Sequence, residues 1–293
     1  MSATMVSKAV ANGAETALPN LTKMFNLAGK TAVITGASGG LLQVVSKYFL
    51  QAGASVALID CNLEQLEPSV KKLTEWYNAP GNKLNDYANP NQIISSWACD
   101  IADAHKVNAT VKAIREHHGS PLNILINGAG YNEKSLAEEY PPEKFKRIID
   151  VNLNGSMFIS QAVANTLIKD KVPGSFILVG SMSGSIINRP PLMQTGYNTS
   201  KAGVIHMAKS LASEWSKYNI RVNCLSPGYI ATPMTKQLMD ANPTVKAEWE
   251  SQTPMARMAE PYEFAGPLVF LASDASSYMT GHDLIVDGGF TIW

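Results

Sequence analysis

Tyr197 and Lys201 stand four residues apart in the segment Tyr197-Asn198-Thr199-Ser200-Lys201. On a helix that spacing puts them on one face, so an ammonium can lie beside a phenol whose ordinary pKa is about 10 and stabilise its ionised form. A tyrosine so placed can exchange a proton near neutral pH. Upstream, Ser181 follows an apolar run that ends at Gly180, with a second serine, Ser183, two residues on, and Asn152 lies in Val151-Asn152-Leu153. Read singly, these residues are also what a buried tyrosine, a long lysine on a helix face and a strand-end serine would look like. Metal chemistry is not indicated. Of five histidines only His117 and His118 are adjacent, and Cys61, Cys99 and Cys224 form no C-x-x-C pair, so neither a ligand cluster nor a disulfide framework is expected.

A second chemical segment is Thr35-Gly36-Ala37-Ser38-Gly39-Gly40-Leu41-Leu42, which follows the apolar run Thr31–Thr35 and opens an amphipathic stretch over 41–52. Glycines let a backbone pass close to a phosphate, and the free N–H groups and dipole of a helix N-terminus favour a pyrophosphate. The next apolar run, 55–59, ends on Asp60. An acidic residue there can accept hydrogen bonds from the adenosine ribose hydroxyls of a dinucleotide and would repel a 2′-phosphate. No Lys or Arg lies in the loop, so NAD is the cofactor expected. Taken alone, Asp60 could equally cap the helix that begins near Leu63.

These residues need a scaffold, and the hydrophobic pattern supplies one. Strands are expected at Thr31–Thr35, 55–59, 95–100, 122–126, 175–180, 220–226 and Asp283–Val286, and helices at 41–52, 63–76, Ala104–His118, 142–169, 197–218 and 261–271. Residues 78–94, dense in Asn, Pro and Gly, read as an inserted surface loop. Strictly alternating strands and helices predict a single-domain α/β fold of the Rossmann type, a doubly wound parallel sheet with helices on both faces, over residues 25–293. Residues 1–24 lack periodicity and are expected to form a flexible arm.

Composition agrees with a compact chain and excludes some partners. Twenty-four basic and 24 acidic residues give no net charge, which argues against nucleic acid or an anionic membrane surface as partner. Hydrophobic residues make up 45% of the chain and charged residues only 16%, below the usual quarter or so. No apolar run approaches the roughly 18 residues that span a bilayer. The opening segment has neither a signal-peptide core nor an Arg-rich transit composition, so a reducing, cytoplasmic location is expected.

The order Thr-Gly-x-x-x-Gly at 35–40, Asn127-Gly128-Ala129-Gly130, Asn152, Ser181, Tyr-x-x-x-Lys at 197–201, Pro227-Gly228 and Val286-Asp287-Gly288-Gly289 resembles the short-chain dehydrogenase/reductase family over residues 28–293. The resemblance implies hydride transfer between an alcohol carbon and a nicotinamide. In it Ser181 would bond the substrate oxygen, Tyr197 exchange the proton, Lys201 reach the nicotinamide ribose and Asn152 hold a water in the proton path. It further implies cofactor contacts from Gly36, Ser38, Gly40, Leu41, Asp60, Asp100, Ile101, Asn127, Gly128, Ala129, Tyr197, Lys201, Pro227, Gly228, Ile230 and Thr232. Ser181 is preferred to Ser183 because it directly follows the strand and begins the family's Ser-x-x-Gly, which ends at Gly184.

Ala57-Leu58-Ile59-Asp60, Gly180-Ser181-Met182-Ser183-Gly184, Arg221-Val222-Asn223 and Arg257-Met258-Ala259-Glu260-Pro261 are similar to fungal polyol dehydrogenases within that family. This implies a sugar alcohol or ketose as substrate, D-arabinitol and D-ribulose above all, with NADP-linked sorbose and mannitol enzymes, or a non-catalytic cofactor-binding protein on the same fold, as the alternatives. Asn132, Glu133, Asn188, Arg189, Gln194 and Tyr229 are the polar residues expected around such a substrate, although solvated loop surface would explain them equally well. Two departures stand out. Leu42 replaces the loop's third glycine and is expected to widen the gap between helix and strand or tilt the helix, and Pro190-Pro191 lengthens the interval before Tyr197. Relatives pair through their long helices and C-terminal strands, so a homotetramer or homodimer is expected, with Phe290, Ile292 and Trp293 either at the interface or closing their own subunit's core.

Overall fold

A computed structural model describes Leu18 and residues 20–84, 89–188 and 193–292. Most of the expected N-terminal arm, the Pro190-Pro191 pair, Arg189 and Trp293 therefore lie outside the described residues. The end of that arm is not extended chain, since Leu21–Met24 forms one helical turn (α1) capped by the Asn20 side chain.

Seven strands form one parallel sheet: β1 Thr31–Thr35, β2 Ser55–Asp60, β3 Ile94–Ala98, β4 Ile124–Asn127, β5 Gly174–Val179, β6 Ile220–Pro227 and β7 Asp283–Val286. Their spatial order is β3-β2-β1-β4-β5-β6-β7, every neighbouring pair parallel. Successive side chains of a strand point to opposite faces, and here both faces are apolar. Ala32, Ile34, Val56, Leu58, Ile124 and Ile126 pack with α2 Gly40–Gln51, α3 Leu63–Asn78 and α10 Ala265–Ala272. Val33, Ala57, Ile59, Leu125, Phe176 and Val222 pack with α4 Ala104–His118, α6 Ser156–Asp170 and α7 Thr195–Trp215. The doubly wound sheet expected from the alternation is the observed fold.

Because all strands run the same way, every segment that follows a strand emerges on one edge of the sheet. The glycine loop, Asp60, Asp100, Asn127–Gly130, Ser181 and Pro227-Gly228 are thereby gathered from distant parts of the chain. The order reverses between β1 and β4, the crevice where open α/β sheets bind ligands.

Three elements differ from the pattern. The expected long helix over 142–169 is α5 Pro142–Ile149 and α6 joined by a π-helical segment, Asp150–Gly155, which contains Asn152. Two helices that the pattern does not show, α8 Pro233–Ala241 and α9 Pro243–Ser251, follow β6. Strand β3 ends at Ala98, so Asp100 and Ile101 belong to the loop beyond it. The described part of the inserted loop before β3 is tied to the fold: the Gln92 amide donates to Leu50 O and Ala54 O, both at 2.8 Å.

Candidate active site

Gly180 ends on the carboxyl side of β5, and the chain turns at Ser181, whose hydroxyl caps the 3-10 turn Met182–Gly184 by accepting from Ser183 N at 3.1 Å. Helix α7 starts at Thr195, so Tyr197 falls in its first turn and Lys201 one turn further along the same face. The Ser181 side chain faces the Tyr197 phenol and favours its ionised form. Burial nevertheless holds the phenol above its usual pKa, and the serine offsets only part of that rise. Lys201 is buried; its Nζ donates to Val179 O at 2.7 Å and lies 5.7 Å from the Tyr197 ring centroid. Desolvation lowers the lysine from 10.5 to about 8. The phenol is thus raised by its own burial and not lowered as the four-residue spacing suggests.

Asn152 sits fully buried in the π-helical segment, a type of distortion that recurs at functional sites. Its amide clamps the loop after β4, accepting from Tyr131 N at 3.0 Å and donating to Tyr131 O at 2.9 Å, and it also donates to Ser200 Oγ in α7 at 3.0 Å. Both amide hydrogens are thus used within the protein. A Cβ on Gly130 would come within 3.0 Å of Asn152 Oδ1 and 3.6 Å of Lys201 Nζ. The bare glycine keeps the ground between amide oxygen and ammonium clear. Sequence reasoning named Gly130 only as part of a motif, and this role has no local signal.

The two serines are separated by their partners. Ser183 Oγ donates to Asn188 Oδ1 at 2.6 Å, away from Tyr197, whereas Ser181 faces the phenol. Asn132, Asn188, Gln194 and Tyr229, expected near a substrate, join in one hydrogen-bonded chain. Glu133 is instead paired with Lys144 at 2.6 Å.

The glycine loop and the β4 loop are stitched together by Thr35, whose Oγ1 accepts from Gly128 N and Ala129 N, both at 3.1 Å. Gly36 takes φ +72°, and a Cβ there would strike the Ala129 backbone at 2.8 Å. Gly40 begins α2 against the segment after β6, where a Cβ would meet Pro233 at 2.8 Å and Thr232 at 3.1 Å. Asp60 does not cap α3; Asn62 does, accepting from Gln65 N. The Asp60 carboxylate accepts from Ser38 N at 3.0 Å, Ser38 Oγ at 2.6 Å and Asn62 N at 3.2 Å. Three of its roughly four acceptor positions are used, and among the described residues no basic side chain is paired with it.

Other expected cofactor contacts have scaffold duties. Asp100 is bonded to Arg147 at 2.8 Å and to Ala102 N at 3.0 Å. Ile101 is buried against Gly155, and Leu41 is partly buried against the core. The Asn127 amide donates to Ser156 O at 2.8 Å and accepts from Thr35 Oγ1 at 3.2 Å. Pro227 closes β6, Gly228 abuts the Asp287 backbone, and Thr232 caps α8 while Ile230 O accepts from Thr235 Oγ1 at 2.6 Å. The side chains of Asn127 and Ile101 are buried. Leu42 is buried over the glycine of the β4 loop: a Cβ on Gly128 would lie 2.5 Å from Leu42 Cδ1. The leucine therefore fills space that Gly128 leaves, instead of opening a gap.

A positive-φ glycine turn at a helix N-terminus, a carboxylate beside it and a crevice kept clear by Gly130 together fit a dinucleotide. Residues 36–291 match a family model described as enoyl-(acyl carrier protein) reductase. The chain belongs to the short-chain dehydrogenase/reductase family. It is 51% identical over 275 residues, 94% of this chain and 96% of the relative, to the ribulose-forming D-arabinitol 2-dehydrogenase of Candida tropicalis. It is 43% identical over 271 residues, 92% of this chain and 97% of the relative, to the NADH-dependent L-xylulose reductase of Ambrosiozyma monospora. Among solved structures, a short-chain dehydrogenase/reductase from Mycobacterium marinum superposes with a TM-score of 0.81 at 33% identity, covering 93% of this chain and 99% of that one. The protein is an oxidoreductase of the polyol dehydrogenase type that uses a nicotinamide cofactor and a small-molecule substrate.

Proposed function

We propose that this enzyme transfers hydride between NAD and carbon 2 of a sugar alcohol or ketose, with D-arabinitol and D-ribulose as the pair. The observation that carries the reading is Tyr197 facing Ser181, one helical turn before a buried Lys201, in a chain half identical to a relative named for that reaction. In the oxidation, Ser181 Oγ holds the substrate oxygen, and Tyr197 Oη takes its proton while the phenol's own proton passes to the neutral Lys201 amine. Lys201 Nζ, fixed by Val179 O, orients the phenol and the ribose side of the crevice. Asn152 keeps the β4 loop and α7 in register and presents its carbonyl oxygen toward Lys201 across Gly130. Bound nicotinamide supplies the hydride acceptor. We place the catalytic domain at residues 25–293, with 1–24 as an appended arm, in the cytoplasm, where the free thiols of Cys61, Cys99 and Cys224 persist.

NAD is favoured over NADP by Asp60. A 2′-phosphate would meet a carboxylate already holding Ser38, with no cation to receive it. Steady-state comparison of the two cofactors tests this: kcat/KM is expected to favour NAD by at least about tenfold, and Asp60→Ala to narrow the ratio. Equal values in the unaltered enzyme would refute the cofactor assignment.

A further inference from the structure

Four polar residues from three separate loops form a directed chain beside Ser181. Asn132 Nδ2 donates to Gln194 Oε1 at 2.7 Å, and Gln194 Nε2 donates to Asn188 Oδ1 at 2.6 Å. Asn188 Oδ1 also receives the Ser183 hydroxyl, so its acceptor capacity is filled. The remaining bond runs from Asn188 Nδ2 to the Tyr229 hydroxyl oxygen at 3.2 Å. Asn188, Gln194 and Ser183 are all buried. Buried polar groups are costly unless satisfied, and these are satisfied by one another in a single sense. That sense ends on an oxygen that accepts, which leaves the phenolic O–H of Tyr229 free to donate elsewhere.

The ring that carries this hydroxyl is fixed. It stacks on Trp249 of α9, with centroids 4.3 Å apart and planes at 6°, and receives Phe290 edge-on at 5.4 Å and 89°. Trp249 and Phe290 are both buried, so the two helices after β6 and the C-terminal segment hold Tyr229 rather than cover an empty face. The chain also reaches the centre directly, because Ser183, which anchors Asn188, donates its backbone N–H to Ser181 Oγ.

We propose that Tyr229 is a specificity-determining residue whose hydroxyl donates to a substrate hydroxyl away from the reacting carbon, with the Asn132–Gln194–Asn188 chain setting the direction of that bond. The proposal rests on the polyol reading and deepens it. A donor fixed in place recognises a polyhydroxylated chain and gives nothing to a simple secondary alcohol, which leaves it unpaired.

The test compares kcat/KM for D-arabinitol and 2-butanol with NAD in the wild-type protein, Tyr229→Phe and Asn188→Asp. Tyr229→Phe keeps both ring contacts and removes only the hydroxyl. Asn188→Asp keeps the shape but replaces the donor facing Tyr229 with an acceptor, which turns the phenolic O–H inward. Melting temperature confirms that each variant is folded, and Tyr229→Phe stands alone if the aspartate variant is not. The D-arabinitol to 2-butanol ratio is expected to fall about 10- to 100-fold in both variants, with the loss mainly in KM. If the wild-type enzyme prefers D-arabinitol and the ratio in Tyr229→Phe stays within about twofold, Tyr229 is a packing residue and the proposal is wrong while the polyol reading stands. If the wild-type enzyme prefers 2-butanol to every polyol tried, the reading fails and takes the proposal with it.

Discussion

At the scale of single residues, the chemistry rests on a pair whose protons are redistributed by burial. Four-residue spacing alone suggests an ammonium that lowers a phenol, but the structure raises Tyr197 and lowers Lys201 to about 8. On raising the pH, the first proton the pair gives up is therefore the lysine's. The lysine's pKa lies below its ordinary 10.5, so its neutral form takes over above about 8, and a pair short of one proton can accept the one released by an alcohol. Alcohol oxidation, followed as kcat/KM, is expected to rise through about pH 8 and ketone reduction to fall over the same interval. Profiles that stay flat in both directions from about pH 6 to about pH 10 would contradict the assignment of proton exchange to this pair.

Elements decide how these residues meet, and α2 shows how local the adaptation is. Leu42 occupies the position of a family glycine, yet it is buried in the core and lies over Gly128, which has no side chain to oppose it. Leu42→Gly is expected to destabilise the protein by about 3–6 kcal/mol, from the cavity left by a buried leucine and the backbone freedom of a helical glycine. Chemical denaturation measures this, and an unchanged midpoint would show that the leucine is not part of the packing. Much of the scaffold was legible in the chain: apolar runs closed by glycine or aspartate place β1, β7 and α4 at their observed bounds. The π-helical turn around Asn152 was not, because an inserted residue within a helix leaves the apolar spacing nearly intact. Helices α8 and α9 were also missed, although Thr232 before Pro233 and the proline at 243 are recognisable start signals. Their apolar contacts are made to Tyr229 and Met258 in other segments. At the site, Tyr197 and Lys201 were expected from their spacing and Ser181 from the family's Ser-x-x-Gly, and the structure brings the three near one another, whereas the amide chain links positions 132, 188, 194 and 229, whose adjacency exists only after folding.

At the scale of the whole molecule, an apolar region among the described residues is only partly covered. Leu153, Met157 and Met207 are only partly buried on the outer face of the π-helical segment, α6 and α7, and β7 leaves one edge of the sheet unpaired. Phe290, by contrast, is buried against Tyr229 of its own chain, while Ile292 is exposed. We propose that these outer faces join copies of the chain as a homodimer or homotetramer. Sedimentation at micromolar concentration is expected to give a multiple of 31.6 kDa, and a monomer alone would exclude it. Among the described residues no helix is long and apolar enough to cross a membrane. The account as a whole stands or falls on one comparison: D-arabinitol and NAD supplied to the wild-type protein and to Tyr197→Phe, with NADH followed by absorbance and the sugar product identified. Wild type is expected to form D-ribulose and NADH in equal amounts, and the variant to lose at least about 100-fold in rate while still binding NAD. A variant that keeps more than about a tenth of the wild-type rate, or a wild type that oxidises no pentitol or hexitol, would contradict it.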